Sequence, residues 1–194
     1  MLEPLLIDAL RNHSQTISFC ESLTAGLACA RLADVPGASD VLRGGLVTYA
    51  TDLKVSLAGV REDVVARDSV VSTAVAREMA RGCRTACGSD WAVSLTGVAG
   101  PDSQDGHPAG EVWIGLAAPT WTASSPAADV LPADRTRFAL VPGMAEPVRV
   151  IAGSRNEIRN AAVDAVFIGV LRALGVEVDL DGDKRREQNS GEGR

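Results

Sequence analysis

The sequence predicts an α/β fold, a three-layer α/β/α sandwich built on a mixed β-sheet. Segments rich in β-branched and aromatic residues alternate with Ala/Leu-rich helical segments along most of the chain. A β-hairpin is expected within 91–117, so at least one strand runs antiparallel to its neighbour. The chain has 194 residues, of which 46% are hydrophobic, and this is enough for one domain with a substantial core.

The individual elements follow from local patterns and from residues that begin or end helices. Ser72 is a predicted helix N-cap, Pro36-Gly37 interrupts a helix, and Gly175 ends the last one. Helices are predicted at 2–11, 25–33, 52–58, 74–86 and 156–174. Strands are predicted at 16–20, 45–49, 91–96, 111–117 and 148–152, with one more at 136–141 inside the Pro/Ala/Ser-rich segment 120–146. We expect a single domain over 1–176 and a polar, disordered tail over 177–194.

The composition excludes several classes of partner. The net charge is −6 and the sequence pI is about 4.9, which argues against nucleic acid as the main partner. No apolar run reaches the roughly 18 residues that a membrane span needs, so no membrane partner is expected. The N-terminus, Met1-Leu2-Glu3-Pro4, lacks the basic region of a secretory signal. We therefore expect a cytoplasmic protein.

The placement of cysteine and histidine predicts no metal site. The four cysteines form no CxxC pair, although Cys83 and Cys87 have the i,i+4 spacing of one helix face. Neither histidine, His13 or His107, lies near a cysteine in sequence. Buried, reduced thiols are the expected state of the cysteines.

Lysine usage singles out one residue of the main body. Positive charge is carried almost entirely by arginine, and the only lysine outside the polar tail is Lys54, five residues after the only tyrosine, Tyr49. Arginine does not give up its proton near neutral pH, whereas a partly buried lysine does. Lys54 is thus a candidate general base, and Tyr49 a candidate helper that holds it neutral or relays a proton. A surface lysine beside a half-buried strand tyrosine is the competing interpretation.

Ser22 lies between a predicted strand end and a helix start, where unpaired backbone N–H groups favour an anion. It is therefore a candidate nucleophile beside an oxyanion site, although on spacing alone a helix cap is the simpler interpretation. A Ser-His-Asp triad would need His13 or His107, which are more typical of a helix-end surface and a solvated loop. A Ser-Lys pair is the favoured nucleophilic arrangement.

Two further features are candidates for binding a ligand. The loop Gly97-Val98-Ala99-Gly100-Pro101 follows a strand, where α/β sheets bind ligands and where glycine lets the backbone approach closely. A structural turn explains this loop equally well. Arg155 and Arg159, at the start of the last predicted helix, are candidates for a phosphate clamp, with surface charge as the alternative, especially for Arg159.

Seven short motifs occur along the chain in a recognisable order. They are Glu21-Ser22-Leu23-Thr24-Ala25-Gly26, Pro36-Gly37-Ala38-Ser39, Gly44-Gly45-Leu46-Val47-Thr48-Tyr49 with Lys54 and Gly59-Val60, Val71-Ser72, Ser94-Leu95-Thr96-Gly97-Val98-Ala99-Gly100-Pro101, Pro108-Ala109-Gly110-Glu111-Val112-Trp113, and Gly153-Ser154-Arg155 with Arg159. Together they resemble the CinA C-terminal domain family, the nicotinamide-nucleotide amidases, over about residues 5–175. Ala25 replaces a glycine of the family pattern, Ser154 replaces an aspartate, and 120–146 is longer than in that pattern.

The resemblance implies hydrolysis of the carboxamide of nicotinamide mononucleotide to nicotinate mononucleotide and ammonia, with no metal and no cofactor. By motif, it implies that Ser22 is the nucleophile, Lys54 the base and Tyr49 its helper. The residues that it implies in substrate binding or in support of the site are Glu21, Thr24, Ala25, Gly26, Ser39, Gly97, Ala99, Gly100 and Arg155. The expected partners are a small-molecule nucleotide substrate and further copies of the chain in a homo-oligomer.

Two other functions stay open. One is a Ser-Lys hydrolase of another amide or ester, which product assays across substrates would distinguish. The other is a non-catalytic nucleotide-binding module, for which ligand binding would occur without ammonia release and would be unchanged by Ser22→Ala.

Overall fold

The computed structural model describes residues 1–141 and 145–179. Six α-helices and seven β-strands are found in these ranges. The helices are α1 (Leu2–Asn12), α2 (Leu27–Ala33), α3 (Thr51–Ser56), α4 (Glu62–Asp68), α5 (Thr73–Cys87) and α6 (Arg155–Ala173). The strands are β1 (Ile17–Glu21), β2 (Leu42–Val47), β3 (Trp91–Gly97), β4 (Val112–Ala117), β5 (Thr122–Pro126), β6 (Thr136–Ala139) and β7 (Val148–Ile151).

The main sheet has five strands in the order β2-β1-β3-β4-β5. β1 pairs in parallel with β2 and β3, whereas β3 pairs antiparallel with β4, and β4 antiparallel with β5. The predicted mixed sheet and the hairpin within 91–117 are therefore confirmed. Because β1 lies between two parallel partners, the chain leaves it at an interior position of the sheet, where α/β proteins commonly place their sites.

Helices cover both faces of the sheet, as the alternation of side chains along β1 shows. Phe19 points to the face that carries α1, α2 and α6, and its ring contacts Phe167 of α6 edge-on. Cys20, the next residue, belongs to the core on the opposite face, with Met79 and Cys83 of α5. Successive strand residues point to opposite faces. The predicted three-layer α/β/α sandwich is therefore confirmed.

Some element boundaries differ from the predicted ones. α2 begins at Leu27 rather than at 25, because Ala25 and Gly26 have φ angles of 52° and 94°, in the left-handed region that an α-helix excludes. β2 begins at Leu42 rather than at 45, and α4 was not predicted. Both are short elements in which few residues carry a periodic pattern.

The segment 120–146 contributes to two sheets. Its first part forms β5, an edge strand that was not predicted because Thr122–Pro126 is poor in strand-forming residues and ends in proline. Its second part forms β6, close to the predicted strand at 136–141, and β6 pairs antiparallel with β7 in a separate two-stranded sheet. The predicted tail at 177–194 lies outside the described residues from 180 onward. Within the described ranges, no helix is both long and apolar enough to cross a membrane.

Candidate active site

Ser22 directly follows β1 and lies at the end of the parallel part of the sheet. Its backbone N–H donates to the Leu95 carbonyl of β3 at 3.0 Å, which continues the ladder by one residue. Its side chain is buried, with 8% of the residue exposed. The chain then turns sharply, since the Ala25 N–H donates back to the Ser22 carbonyl at 3.1 Å. This turn fixes the Ser22 hydroxyl at the floor of a cleft.

Lys54 of α3 meets Ser22 inside the protein. Its Nζ lies 3.0 Å from the Ser22 Oγ, 2.9 Å from the Thr48 carbonyl oxygen and 3.3 Å from the Tyr49 carbonyl oxygen. The residue is only 2% exposed. None of the ion pairs formed within the described ranges involves Lys54. A buried lysine with oxygen partners but no carboxylate is poorly stabilised in its charged form.

Burial lowers the pKa of Lys54 below that of an ordinary lysine, and the smaller influence of the nearby Cys20 sulfur acts in the opposite direction. A neutral amine has two N–H donors and one lone pair. The two backbone carbonyls, of Thr48 and Tyr49, provide acceptors for the two N–H groups. A protonated Nζ donates to the Ser22 Oγ. In the neutral form, with both N–H groups directed to the carbonyls, the lone pair faces Ser22 and the hydroxyl donates to it, which is the polarity that a general base needs.

The turn after Ser22 carries two backbone N–H groups that have no acceptor within the described residues, those of Leu23 and Thr24. The Ala25 N–H is used by the Ser22 carbonyl, and the Gly26 N–H donates to the Glu21 carboxylate at 2.9 Å. Leu23 lines the cleft, whereas Thr24 is fully buried. The Leu23 N–H is therefore the candidate for stabilising an oxyanion beside Ser22.

Glu21 supports this turn from below and does not face the cleft. It is 1% exposed, and besides the Gly26 N–H its carboxylate accepts from the backbone N–H groups of Ala28 and Cys29, at 3.1 and 3.0 Å. These are amides of the first turn of α2, which a carboxylate satisfies well. The resemblance implied a substrate contact for Glu21, whereas the structure gives it the role of a buried helix cap.

Arg159 of α6 holds the same turn from the other side. Its Nε donates to the Leu23 carbonyl at 3.1 Å and its Nη2 to the Thr24 carbonyl at 2.8 Å. In a trans peptide the carbonyl and the N–H point in opposite directions. Because the Leu23 carbonyl points at Arg159, the Thr24 N–H points away from it. From the sequence, Arg159 was interpreted mainly as a surface charge. Its partners are backbone carbonyls about 135 residues earlier, and nothing in the sequence indicates such contacts.

Arg155, at the first position of α6, links two walls of the cleft. Its Nη1 donates to the Gly100 carbonyl at 2.8 Å, and its Nη2 donates to the Tyr49 hydroxyl at 3.1 Å. Tyr49 is 55% exposed, so its side chain lies at the rim, and it is its backbone carbonyl that contacts Lys54. The expected contact between the Tyr49 hydroxyl and Lys54 is therefore not present. Among the described residues that line this cleft, Lys54 and Arg155 carry the basic side chains, and the Arg155 guanidinium is the exposed one.

The cleft has a volume of about 340 Å³, within the usual range for small-ligand sites. Ser22 and Lys54 line it, as do Thr96 and the predicted loop residues Gly97, Ala99 and Gly100. At Gly97 a Cβ would lie 2.3 Å from the Glu111 carbonyl oxygen, so only glycine fits there. The loop prediction is consistent with this placement.

Several residues implied by the resemblance lie elsewhere. Ser39 is exposed in a short 3₁₀ helix before β2, and β2 begins opposite Ile17, the first residue of β1. Ser39 is therefore separated from Ser22 by the length of β1, which has five residues at about 3.3 Å each. Ala25 and Gly26 shape the turn without lining the cleft. Thr24 is fully buried, and its hydroxyl has no hydrogen-bond partner within the described residues.

The described residues contain no group of three or more His, Cys, Asp or Glu side chains arranged to hold a metal ion. The chemistry available at the cleft is that of a serine hydroxyl, a buried amine, the free Leu23 amide and an arginine at the rim. This set is suited to nucleophilic attack on a carbonyl group of a small anionic ligand.

Comparison with known proteins identifies the family. The model of the CinA C-terminal domain matches residues 1–139. A CinA-like protein of Frankia casuarinae is 41% identical over 158 residues, which cover 80% of this chain and 36% of that protein. The chain thus spans about a third of the length of this curated relative.

Solved structures agree with the sequence relatives. The competence damage-inducible protein A of Klebsiella pneumoniae is similar with a TM-score of 0.76 and 25% identity, over 90% of this chain and 95% of that one. The competence/damage inducible protein CihA of Agrobacterium tumefaciens is similar with a TM-score of 0.72 and 26% identity, over 90% and 95%. The chain belongs to the CinA C-terminal domain family.

Proposed function

We propose that the chain is an amidohydrolase that converts nicotinamide mononucleotide to nicotinate mononucleotide and ammonia, in the recycling of pyridine nucleotides. The observation that carries the proposal is the 3.0 Å contact between the Ser22 Oγ and the Nζ of a lysine that is 2% exposed. A carboxamide is a weak electrophile, so its hydrolysis needs an activated nucleophile and a stabilised oxyanion.

In the proposed mechanism the Ser22 oxygen attacks the amide carbon while its proton moves to the neutral Nζ of Lys54. The oxygen of the former carbonyl becomes negatively charged and is stabilised by the N–H group of Leu23. Lys54 then gives the proton to the departing nitrogen, which leaves as ammonia, and Ser22 is acylated. A water molecule attacks the ester carbon and transfers a proton to Lys54. The bond between that carbon and the Ser22 oxygen then breaks, Lys54 returns the proton to the Ser22 oxygen, and the carboxylic acid is released.

The mononucleotide is proposed as substrate because of the cation at the rim. The chain has a net charge of −6, so an anionic ligand needs a local positive group. Arg155 provides it, and its two hydrogen bonds to Gly100 and Tyr49 hold the guanidinium over the cleft. If the phosphate of the mononucleotide binds Arg155 at this rim, the nicotinamide at the other end of the ligand can extend toward Ser22. The resemblance to the nicotinamide-nucleotide amidases supports the same choice.

The test is product analysis with purified protein. Wild type should release ammonia and nicotinate mononucleotide in equal amounts from nicotinamide mononucleotide, and Ser22→Ala should lower turnover by several orders of magnitude. Ser22→Ala should still fold, since it removes one hydrogen bond, that with Lys54, which is worth about 0.5–1.5 kcal/mol. Activity on other amides or esters alone would favour another Ser-Lys hydrolase. Binding of the nucleotide without any product would favour a binding module.

A further inference from the structure

A second polar cluster lies beside the cleft, and the proposed amidohydrolase mechanism does not use it. It consists of Ser69, directly after α4, with His107 and Glu111 from the connection between β3 and β4. The Ser69 Oγ lies 3.0 Å from His107 Nε2, and His107 Nδ1 lies 3.1 Å from Glu111 Oε2. The His107 and Glu111 side chains are 17% and 16% exposed, so the cluster is sheltered and still reachable from solvent.

The chemistry of the three groups fixes the direction of the hydrogen bonds. An ionised carboxylate only accepts, so His107 Nδ1 carries a hydrogen and donates to Glu111. Neutral His107 then presents a lone pair at Nε2, and the Ser69 hydroxyl donates to it. The other Glu111 oxygen accepts from the Trp113 indole N–H at 3.2 Å, which fixes the carboxylate. This is the order of groups that activates a serine in Ser-His-acid hydrolases.

The backbone at Ser69 supports the same interpretation. Its φ of 66° lies in the left-handed region, which a residue other than glycine rarely occupies and which is enriched at functional sites. The Ser69 carbonyl accepts from the Ser72 hydroxyl at 2.9 Å, so the Val70 N–H points away from Ser72. No acceptor for the Val70 N–H is found within the described ranges. An unpaired amide directly after a serine is a ready oxyanion donor.

We propose that Ser69, His107 and Glu111 form a second acyl-transfer site, which acts on small carboxylic esters. The Ser69 oxygen bonds to the acyl carbon while His107 Nε2 takes the hydroxyl proton. The bond to the leaving alcohol then breaks, and His107 returns the proton to that alcohol. Water releases the acid by the same proton transfers in reverse order. Only one unpaired amide is found beside Ser69, so we expect turnover of esters with good leaving groups rather than of amides.

The site has access to ligands from the cleft side. Val70 and Val71, which follow Ser69, line the cleft, as does Gln104, whose backbone N–H and carbonyl both pair with His107 at 3.0 and 2.8 Å. Ser69 itself is partly exposed. Ser69, His107 and Glu111 do not line the cleft themselves, so in this proposal a small acyl group reaches the partly exposed Ser69 from the neighbouring cleft wall.

The experiment is labelling of Ser22→Ala protein with a fluorophosphonate, followed by mass spectrometry of the labelled peptide. The Ser22→Ala background removes the first serine, so the result does not depend on the proposed amidase activity. We expect the label on Ser69, and we expect His107→Asn to slow the labelling about a hundredfold or more. His107→Asn should also slow the hydrolysis of p-nitrophenyl acetate by the Ser22→Ala protein to a similar extent.

Ser69→Gly is the control for folding. Glycine is unstrained at a φ of 66°, so this variant should melt at a temperature equal to or above that of its parent, yet lose the label and the esterase activity. Absence of label on Ser69 in the Ser22→Ala background would overturn the proposal. Labelling that is unchanged by His107→Asn would overturn it as well, because Ser69 would then react without its base.

Discussion

Replacement of Arg159 by methionine tests how the turn after Ser22 is held. Methionine keeps the apolar stem of the side chain and removes the guanidinium, whose two hydrogen bonds orient the Leu23 and Thr24 carbonyls. A charge-assisted hydrogen bond is worth about 1.5–3 kcal/mol when buried, and we take about 1 kcal/mol for each here because Arg159 is half-buried. The free energy of unfolding should therefore fall by about 2 kcal/mol.

The effect on catalysis should exceed the effect on the fold. Once the Leu23 and Thr24 carbonyls are released, the turn that carries the Leu23 N–H is free to move away from the oxyanion, and loss of one such donor lowers kcat by about 10²–10³-fold. The KM for nicotinamide mononucleotide should change much less, since Arg155 and the 97–101 loop stay in place. Arg159→Lys should behave like Arg159→Met, because one ammonium lacks the fork that bridges two carbonyls.

Steady-state kinetics and urea unfolding of the same preparations provide the assay. Arg172→Met is the matched control, because Arg172 lies exposed in the last turn of the same helix and should change neither quantity. An unchanged kcat in folded Arg159→Met protein would refute the reasoning and leave Arg159 with a structural role only.

Three further predictions address the phosphate, the turn and the base. Arg155→Ala should raise the KM for nicotinamide mononucleotide about tenfold to a hundredfold, from about 1.5–3 kcal/mol for the lost bond, and should barely affect the dephosphorylated nucleoside. Equal losses on both substrates would show that Arg155 does not bind the phosphate. Ala25→Gly should raise the free energy of unfolding by about 0.5–1 kcal/mol in urea titrations, because it relieves a φ of 52°, and a decrease would contradict the assigned strain. Since burial lowers the pKa of Lys54 and the neutral amine is the active form, kcat/KM should rise with pH through a midpoint below 10.5, the value of an ordinary lysine. A rate that falls as pH rises through this range would contradict a neutral base.

The sequence contains enough information to predict Lys54 but not its environment. Lys54 was identified because it is the only lysine of a main body whose other basic residues are arginines. Its contact with Ser22, however, depends on the parallel pairing of β1 with β2. The Thr48 N–H donates to the Glu21 carbonyl at 2.9 Å, so the two strands end at the same level and α3 starts beside Ser22. No local pattern specifies this register, because strand pairing is a long-range property.

For a related reason, sequence patterns did not predict the contacts of Glu21 and Tyr49. The family resemblance implied a substrate contact for Glu21, whereas its carboxylate accepts from the backbone N–H groups of Gly26, Ala28 and Cys29. Tyr49 was expected to act on Lys54 through its hydroxyl, but its side chain points to Arg155. In both cases the choice between two neighbouring partners is made by tertiary packing, which residue spacing does not encode.

The central claim is that Lys54 is the base that activates Ser22, and Lys54→Arg tests it most directly. Arginine supplies hydrogen-bond donors and a positive charge but does not accept a proton near neutral pH. The measurement is the rate of ammonia release from nicotinamide mononucleotide at pH 7.5 by folded Lys54→Arg protein. A lost general base predicts a decrease of about 10²–10⁴-fold, close to that of Lys54→Ala. A Lys54→Arg protein that retains most of the wild-type rate would contradict the account, because Lys54 would then act only as a fixed charge.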